Sequence, residues 1–283
     1  MDVLFCFDKN YEQHFGVAIT SLILNNTNKI KTIHLVTKDN SKDFLKKIDK
    51  LKSKTQAKFF IYSPDDKDLS NVKVSAHIST AAYYRLLAPE LLPQDLKKIL
   101  YLDSDLVVNS SLENLYNMDI SDDILAAYAG GKMGPGTKKR LQLTGDFYFN
   151  SGVMLINLEA WRTENIGNKC FKFLQENPDM IRLWDQDALN KIVDGKFLNI
   201  DGIWNSLVDL TTGETRVTNQ SIIIHFTGTL KPWQSWCIRP EKRIYWYYLR
   251  QSPWSNAYPQ FPKNFQEMLL AIKSVYKQIK PKK

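Results

Sequence analysis

The chain has 283 residues, a net charge of +8, 43% hydrophobic residues, and 14 phenylalanines and 13 tyrosines. This length and apolar content suit one large α/β domain, or one domain with an appendage. No run approaches 18 apolar residues and the N-terminal segment has no basic leader, so we expect neither a membrane-spanning helix nor a signal peptide. The scattered cysteines Cys6, Cys170 and Cys237 argue against a disulfide framework and a structural zinc site, and favour a reducing compartment.

The positive charge is concentrated in the last fifth of the sequence. From Lys231 to Lys283 there are eleven Lys and Arg against two acids, whereas residues 1–230 have a balance of −1. The same segment holds four of the seven tryptophans, Trp233, Trp236, Trp246 and Trp254. Basic charge mixed with aromatic rings suits an anionic membrane surface or an acidic acceptor. Since no RNA- or DNA-binding motif accompanies it, we expect no nucleic-acid partner.

The first 110 residues alternate between predicted strands and helices. Strands are predicted at Asp2–Phe7, Thr32–Thr37 and Ala57–Tyr62, with an amphipathic helix in each of the two intervals. A further helix around Ser79–Leu87 precedes a strand that ends before Asp103. Such alternation predicts βαβ units and a Rossmann-like, mostly parallel sheet with flanking helices. Because no Gly-x-Gly-x-x-Gly follows the first strand, a dinucleotide cofactor is not expected.

The second half of the chain is less regular. The glycine-rich segment Ala129–Lys139 lacks the Lys-Ser/Thr ending of a phosphate-binding loop, so we interpret it as a mobile loop. Phe147–Trp161 is predicted as a strand interrupted at residues 150–152, followed by helices around Asn165–Glu176 and Asp185–Val193. A later apolar strand carries His225 at its end. The C-terminal "NFQEMLLAIKSVYKQIKPKK" is a basic amphipathic helix that either packs on the core or meets a membrane.

The stretch "KILYLDSDLVVNSS" carries the first indication of chemistry. A continuous apolar strand ends in Asp103 and Asp105, and ligands of open α/β sheets collect at such strand ends. The two acids alone are also compatible with a solvated turn. His225 is expected at the same edge, and two carboxylates with one imidazole suit Mn²⁺ best, Mg²⁺ less well, with Zn²⁺ a further alternative. Together with Gly228 and Lys231 these residues would form a clamp for a diphosphate.

Several motifs in order are similar to those of glycosyltransferase family 8. They are "FDKNY", "HISTAAYYRLLAPELLP", "YLDSDLVV", "FNSGVMLINL", "WDQDALN" and "HFTGTLKPW", which span residues 7–233. The later "YWYYLRQSPW" resembles the C-terminal region of bacterial lipopolysaccharide core gluco- and galactosyltransferases. The resemblance implies a glycosyltransferase-A (GT-A) fold and retaining transfer of glucose or galactose from UDP-glucose or UDP-galactose to a glycan or lipid-linked oligosaccharide.

The resemblance also implies a role for each matching residue. The metal ligands would be Asp103, Asp105 and His225. The UDP contacts would be Phe7, Asp8, Asn10, Ser104, Gly228 and Lys231. The donor sugar would meet Arg85, Asn150, Asp185 and Gln186, and the catalytic group would comprise Gln186, Asp185 and Asp187. His77 would contact the acceptor, while Lys9 replaces an acid frequent in relatives and leaves the details of uridine binding open.

The sequence therefore predicts a GT-A catalytic domain over residues 1–238 and a basic appendage over residues 239–283. The nucleotide-binding half would be about residues 1–110, and the donor-sugar and acceptor half about residues 111–238. The appendage would hold the enzyme on the cytoplasmic face of the membrane. Two alternatives remain open at this point: a haloacid-dehalogenase-like phosphatase that uses the Asp-x-Asp strand end, and a non-catalytic module that binds nucleotide sugars.

Overall fold

The computed structural model describes residues 1–64 and 81–279. Within these residues ten α-helices are labelled in chain order: α1 Glu12–Asn25, α2 Lys42–Lys52, α3 Ala81–Leu91, α4 Glu113–Tyr116, α5 Pro135–Leu141, α6 Leu158–Thr163, α7 Ile166–Glu176, α8 Trp184–Val193, α9 Lys242–Gln251 and α10 Phe265–Ile279. Short 3₁₀ helices occur at Lys9–Tyr11, Pro178–Met180 and Gly202–Asn205.

The strands of the described residues form two sheets. In chain order they are β1 Asp2–Cys6, β2 Thr32–Val36, β3 Lys58–Tyr62, β4 Lys98–Leu102, β5 Leu106–Val108, β6 Leu125–Ala127, β7 Val153–Asn157, β8 Phe197–Asn199, β9 Ser206–Asp209, β10 Glu214–Thr215 and β11 Ile223–Thr227. The larger sheet has the order β3-β2-β1-β4-β7-β6-β8, and the smaller one the order β10-β9-β11-β5.

The four strands on the β3 side of the larger sheet are parallel. β3, β2, β1 and β4 are parallel neighbours, β7 runs antiparallel to both β4 and β6, and β6 is parallel to β8. The predicted βαβ units are present: α1 connects β1 to β2, and α2 connects β2 to β3. Helix α2 begins because Ser41 accepts a hydrogen bond from the Phe44 N–H at 3.3 Å.

Alternate residues of β1 pack into opposite layers, as the two-residue period of a strand requires. Val3 and Phe5 belong to a hydrophobic cluster that includes α1, whereas Leu4 and Cys6 belong to a second cluster that includes α3 and α7. All five residues of β1 are buried. The sheet is therefore covered on both faces, which leaves the ends of its strands as the place for a polar site.

His225 is the first correction to the sequence prediction. It lies inside β11, not at its end, and in the smaller sheet. β11 pairs antiparallel with β5, and His225 is opposite Leu106. Since β5 begins one residue after Asp105, this pairing brings the imidazole beside the two acids. The sequence analysis had instead expected all three residues to follow strand ends at one edge of the same sheet.

The segment Phe147–Trp161 is a second correction. Only Val153–Asn157 is a strand, and Leu158–Thr163 is helix α6. The switch occurs because the Asn157 side chain accepts the Ala160 N–H at 3.1 Å and so begins the helix. Residues 148–150 are irregular, and the Gly152 carbonyl accepts the Asp103 N–H just beyond the end of β4.

The C-terminal tryptophans are mainly packing residues. Trp233 and Trp254 are 5% and 6% exposed, and Trp254 Nε1 donates to Glu12 of α1 at 2.6 Å. Trp246 Nε1 donates to the Pro232 carbonyl at 2.9 Å. The expectation that these rings meet a membrane is therefore wrong for Trp233 and Trp254. Helix α9 packs on α1, and the division of the chain at residue 238 stays a prediction.

Helix α10 forms where the basic amphipathic segment was predicted. It is attached by Gln278, whose side chain accepts the Ile238 N–H at 2.9 Å and donates to the Trp236 carbonyl at 3.0 Å. Ala271 and Gln278 are its buried residues, while its outer face is exposed and apolar. Among the helices described, none is long and apolar enough to span a bilayer.

Candidate active site

Three potential metal ligands converge where β4, β5 and β11 meet. Asp103 and Asp105 lie in the connection between β4 and β5. His225 Nε2 is 3.2 Å from Asp105 Oδ1 and 3.8 Å from Asp103 Oδ2. One ligand atom from each residue lies within 4.8 Å of the others. Two carboxylates and an imidazole form a mixed oxygen and nitrogen donor set for a divalent ion of intermediate softness.

The partners of His225 and Asp103 orient both ligands. His225 Nδ1 is 3.0 Å from Asn205 Oδ1, and an N–H donated there leaves the Nε2 lone pair directed at the acids. The Tyr101 hydroxyl donates to Asp103 Oδ1 at 2.5 Å. The sequence analysis missed both partners: Asn205 lies outside the motifs quoted there, and Tyr101, although part of "YLDSDLVV", was interpreted only as an apolar residue of the strand.

Gly152 forms the wall of this ligand cluster. A Cβ at position 152 would lie 2.3 Å from His225 Cε1 and 2.6 Å from Asp103 Oδ2. The Gly152 carbonyl also accepts the Asp103 N–H at 2.8 Å. A glycine is therefore required for the imidazole and the carboxylate to approach each other, and the residues present fit a divalent cation.

Lys231 adds a positive charge to the same site. Its ammonium group donates to Asp105 Oδ2 at 2.8 Å and to the Phe226 carbonyl at 2.6 Å. Burial alone would raise the pKa of Asp105, but Lys231 and His225 hold it well below its usual value. Gly228, three residues earlier, has φ +80°, and a Cβ there would lie 2.4 Å from Asp209 Oδ1. The turn thus requires glycine.

Arg85 of α3 joins two of the predicted acids. Its guanidinium lies 3.0 Å from Asp103 Oδ1 and 2.9 Å from Asp185 Oδ2, with an 11% exposed side chain. Burial raises the pKa of Asp185 to about 6, although Arg85 acts to lower it. This pairing connects the metal-ligand cluster to the "WDQDALN" segment at the start of α8.

Gln186 is held by hydrogen bonds at both ends of its amide. Oε1 accepts from Asn150 Nδ2 at 3.2 Å and from the Ser151 N–H at 3.1 Å. Nε2 donates to the Tyr148 hydroxyl at 3.2 Å. The structure thus brings together all four residues predicted to meet the donor sugar, which are Arg85, Asn150, Asp185 and Gln186.

Asp187 is fully buried and makes its contacts within the protein. Its carboxylate accepts two hydrogen bonds from Arg140 at 2.8 and 3.1 Å, one from the Tyr148 hydroxyl at 2.7 Å, and the N–H groups of Arg182 and Leu183 at 2.7 and 2.9 Å. Although burial opposes ionisation, these donors lower the pKa of Asp187. Its catalytic role stays a prediction, and this geometry would let it act through the turn that it holds.

The residues predicted to bind UDP differ in how they are presented. The Phe7 ring is 1% exposed and stacks on Phe15 with centroids 4.1 Å apart, so any contact to uridine would come from its backbone. Asp8 Oδ1 accepts the N–H groups of Asn10 and Tyr11. Asn10 is exposed.

Two further predictions concern Ser104 and the acceptor residue. Ser104 is buried, with 5% exposure, between the two acids that it separates in the chain. His77 lies outside the described residues, so its acceptor role stays a prediction. The sequence analysis assigned no role to Tyr11, whose ring lies edge-on to His14 and Trp233, with centroids 5.4 and 6.1 Å away. Burial, with the negative charges of Asp105 and Asp103 as further causes, raises the pKa of Tyr11 well above its usual value.

Comparisons with known proteins agree with this architecture. The solved structure of the galactosyltransferase LgtC in complex with donor and acceptor sugar analogs superposes with a TM-score of 0.78 at 24% identity, and covers 89% of this chain and 96% of LgtC. General stress protein A of Bacillus subtilis is 29% identical over 90% of this chain and 95% of its own length. Lipopolysaccharide 1,2-glucosyltransferase of Escherichia coli K12 is 27% identical over 94% and 82%.

The fold and these similarities define a glycosyltransferase with the GT-A type of α/β architecture. The family described as "Glycosyl transferase family 8" matches residues 2–237. The chain therefore belongs to glycosyl transferase family 8, and the predictions of fold class and family are confirmed.

Proposed function

We propose that the protein transfers glucose or galactose from a UDP-hexose to a glycan with retention of anomeric configuration. The observation that most strongly supports this proposal is the cluster of Asp103, Asp105 and His225 around Gly152, in which Lys231 also pairs with Asp105 at 2.8 Å. This arrangement offers cationic and metal-binding groups to a diphosphate, and polar groups around Arg85 to a sugar. The names of the Escherichia coli relative and of LgtC support hexosyl transfer.

The donor set fits Mn²⁺, with Mg²⁺ as the weaker alternative. A bound divalent ion would neutralise negative charge on the departing diphosphate. Asp103, Asp105 and His225 would hold it, and Asn205 would keep the His225 ring in place. Lys231 supplies a second, fixed positive charge for the diphosphate, so part of the electrostatic stabilisation is built into the chain.

Gln186 directs the choice of mechanism. A neutral amide is a poor nucleophile, and Asp185 is 4% exposed and paired with Arg85. We therefore infer that the acceptor hydroxyl attacks the anomeric carbon on the face from which UDP departs. The bond from that carbon to the UDP oxygen breaks, the bond to the acceptor oxygen forms, and a phosphate oxygen of UDP takes the hydroxyl proton.

Mass spectrometry of the wild-type enzyme quenched during turnover tests the same-face route. We expect no glycosyl group attached to the protein. A glycosyl adduct on Asp185 or Asp187 that forms and decays at the rate of turnover would overturn the inference, because it would demonstrate a double displacement.

We further propose a lipopolysaccharide-type core oligosaccharide as the acceptor, and the cytoplasmic face of the membrane as the location. The relatives' names support the acceptor class. Helix α10 supports the location, because its exposed face carries a stripe of apolar residues at helical spacing, with Lys273 and Lys277 beside it. The stripe comprises Phe265, Met268, Leu269, Ile272, Tyr276 and Ile279.

Co-sedimentation of the full chain with phosphatidylglycerol vesicles tests this location. The double substitution Phe265→Ser with Ile272→Ser should reduce the bound fraction strongly, since both side chains are more than half exposed. Leu45→Ser on α2, also an exposed apolar position, is the matched control and should bind like wild type. Equal binding by the double variant would refute the membrane role of α10.

The proposed activity is tested by measuring UDP release from a panel of UDP-sugars, with and without Mn²⁺. We expect Mn²⁺-dependent turnover of one UDP-hexose by the wild type and its loss in Asp103→Asn. Absence of turnover and of UDP binding would refute the proposal. Hydrolysis of a phosphomonoester without any UDP-sugar would support the phosphatase instead, and UDP-sugar binding without turnover in the presence of acceptor would support the binding module.

A further inference from the structure

A continuous chain of hydrogen bonds leads from α5 to Gln186. Arg140 at the end of α5 donates twice to Asp187 and also to the Met180 carbonyl. Asp187 accepts the Tyr148 hydroxyl at 2.7 Å, and the Tyr148 oxygen lies 3.2 Å from Gln186 Nε2. Asp187 is fully buried and Arg140 has a 14% exposed side chain, so the Arg140–Asp187 end of this series of hydrogen bonds is largely shielded from solvent.

The direction of each hydrogen bond in this chain is determined by its ionised end. A carboxylate accepts only, so Tyr148 must donate its one proton to Asp187. The Tyr148 oxygen then has only lone pairs to offer Gln186, and it accepts from the NH₂ end of the amide. At the other end, the Ser151 N–H requires an acceptor, which Gln186 Oε1 supplies at 3.1 Å. A flipped amide would lose both bonds.

We propose that Tyr148 and Arg140 are positioning residues that fix the orientation of the Gln186 amide, with its oxygen on the side of Asn150 and Ser151. This inference rests on the proposed function for its kinetic consequence, because Gln186 is the residue expected near the anomeric carbon. The amide oxygen carries partial negative charge, which would favour the positive charge that develops on the sugar ring. Neither Tyr148 nor Arg140 needs to touch the substrate to have this effect.

The same series of hydrogen bonds also reaches the metal-ligand cluster. Ser151 contacts Arg85 through its carbonyl and its hydroxyl, at 3.0 and 3.2 Å, and Arg85 pairs with Asp103. Hydrogen bonds therefore link the Gln186 amide to α5 on one side. On the other side they link it to the residues that would hold the diphosphate. A displacement of the amide changes its position relative to both.

Tyr148→Phe removes one hydroxyl and tests the positioning role directly. The solvent exchange of the Gln186 side-chain amide protons, identified as the resonances lost in Gln186→Ala, should accelerate about five- to tenfold, as expected for loss of one hydrogen bond. Tyr116→Phe is the matched control, because Tyr116 also donates to a carboxylate, Asp2, at 2.9 Å. Exchange in Tyr148→Phe that equals the wild-type rate would overturn the proposal.

Kinetics of UDP-hexose transfer provide the second readout. Tyr148→Phe should lower kcat about 10- to 100-fold while KM for the donor changes less than about threefold, since the reacting geometry is disturbed more than binding. In a Gln186→Ala background the same substitution should change kcat less than about twofold, because its target is absent. Equal losses in both backgrounds would show that Tyr148 does not act through Gln186.

The substitution Arg140→Lys tests the Arg140 end of this series of hydrogen bonds. A lysine retains the charge but not the paired hydrogen bonds, so we expect a smaller kcat loss that also disappears in the Gln186→Ala background. Arg140→Lys with wild-type kcat and wild-type Gln186 amide exchange would exclude Arg140 from the positioning role. If the wild type turns over no UDP-sugar, the proposed function fails, whereas the amide exchange still decides whether Tyr148 positions Gln186.

Discussion

Substitution of Gly152 by alanine should disable the metal site while leaving the fold in place. The added Cβ would lie 2.3 Å from His225 Cε1, whereas ordinary contacts begin at 3.4 Å, so the imidazole or the backbone must retreat by about 1 Å. Metal–ligand distances tolerate only about 0.2 Å. We therefore expect the Mn²⁺ affinity to fall at least about 100-fold, with about 1–3 kcal/mol lost from the free energy of unfolding.

Titration of the chain with Mn²⁺, followed by electron paramagnetic resonance of the free ion, measures this affinity. Gly136→Ala is the matched control, because a Cβ at position 136 meets no atom within 4 Å, and it should bind Mn²⁺ like wild type. A thermal unfolding transition in Gly152→Ala establishes that the variant is folded. A folded Gly152→Ala protein with wild-type Mn²⁺ affinity would refute the assignment of His225 and Asp103 as joint ligands.

Three further predictions concern stability. Gly16→Ala should cost about 1–3 kcal/mol of unfolding free energy in urea titrations, because its Cβ would lie 2.2 Å from Trp254 Cε3; an unchanged midpoint would mean that Trp254 does not pack on α1. The folded-state pKa of Asp185 is raised from 3.8 to about 6, so its contribution to stability falls as pH rises from 3.8 to 6; Asp185→Asn should remove that decrease, and an unaltered pH profile would contradict the raised pKa. Burial lowers the pKa of His34 from 6.5 to about 4, so its contribution falls as pH drops through this interval; His34→Gln should flatten that part of the profile, and a slope equal to that of wild type would show that His34 does not cause it.

The parts of the site that follow strand ends could be predicted from the sequence. Asp103 and Asp105 follow a buried strand, and the connection from β4 to β5 places both at the sheet boundary. His225 was expected to join them, and it does, although through the antiparallel pairing of β11 with β5. A short apolar run does not reveal which sheet it enters, because both sheets select the same residue types.

The hydrogen-bond partners behind the ligands could not be predicted. Asn205 is 20 residues from His225, and Tyr148 is 38 residues from Gln186; no local spacing marks such contacts. The burial of Trp254 depends on the small residue Gly16, which lies 238 positions earlier in the sequence. Composition alone does not distinguish tryptophans that pack on a helix from those that meet a membrane, since both settings favour large amphipathic rings.

Calorimetric titration of UDP into the protein, with Mn²⁺ or with EDTA, tests the central claim most directly. The account holds that Asp103, Asp105 and His225 recognise the nucleotide diphosphate through a divalent ion. It predicts clear binding with Mn²⁺, much weaker binding in EDTA, and no effect of Mn²⁺ on the residual binding of Asp105→Asn. Equal affinity of the wild type for UDP with Mn²⁺ and with EDTA would contradict it.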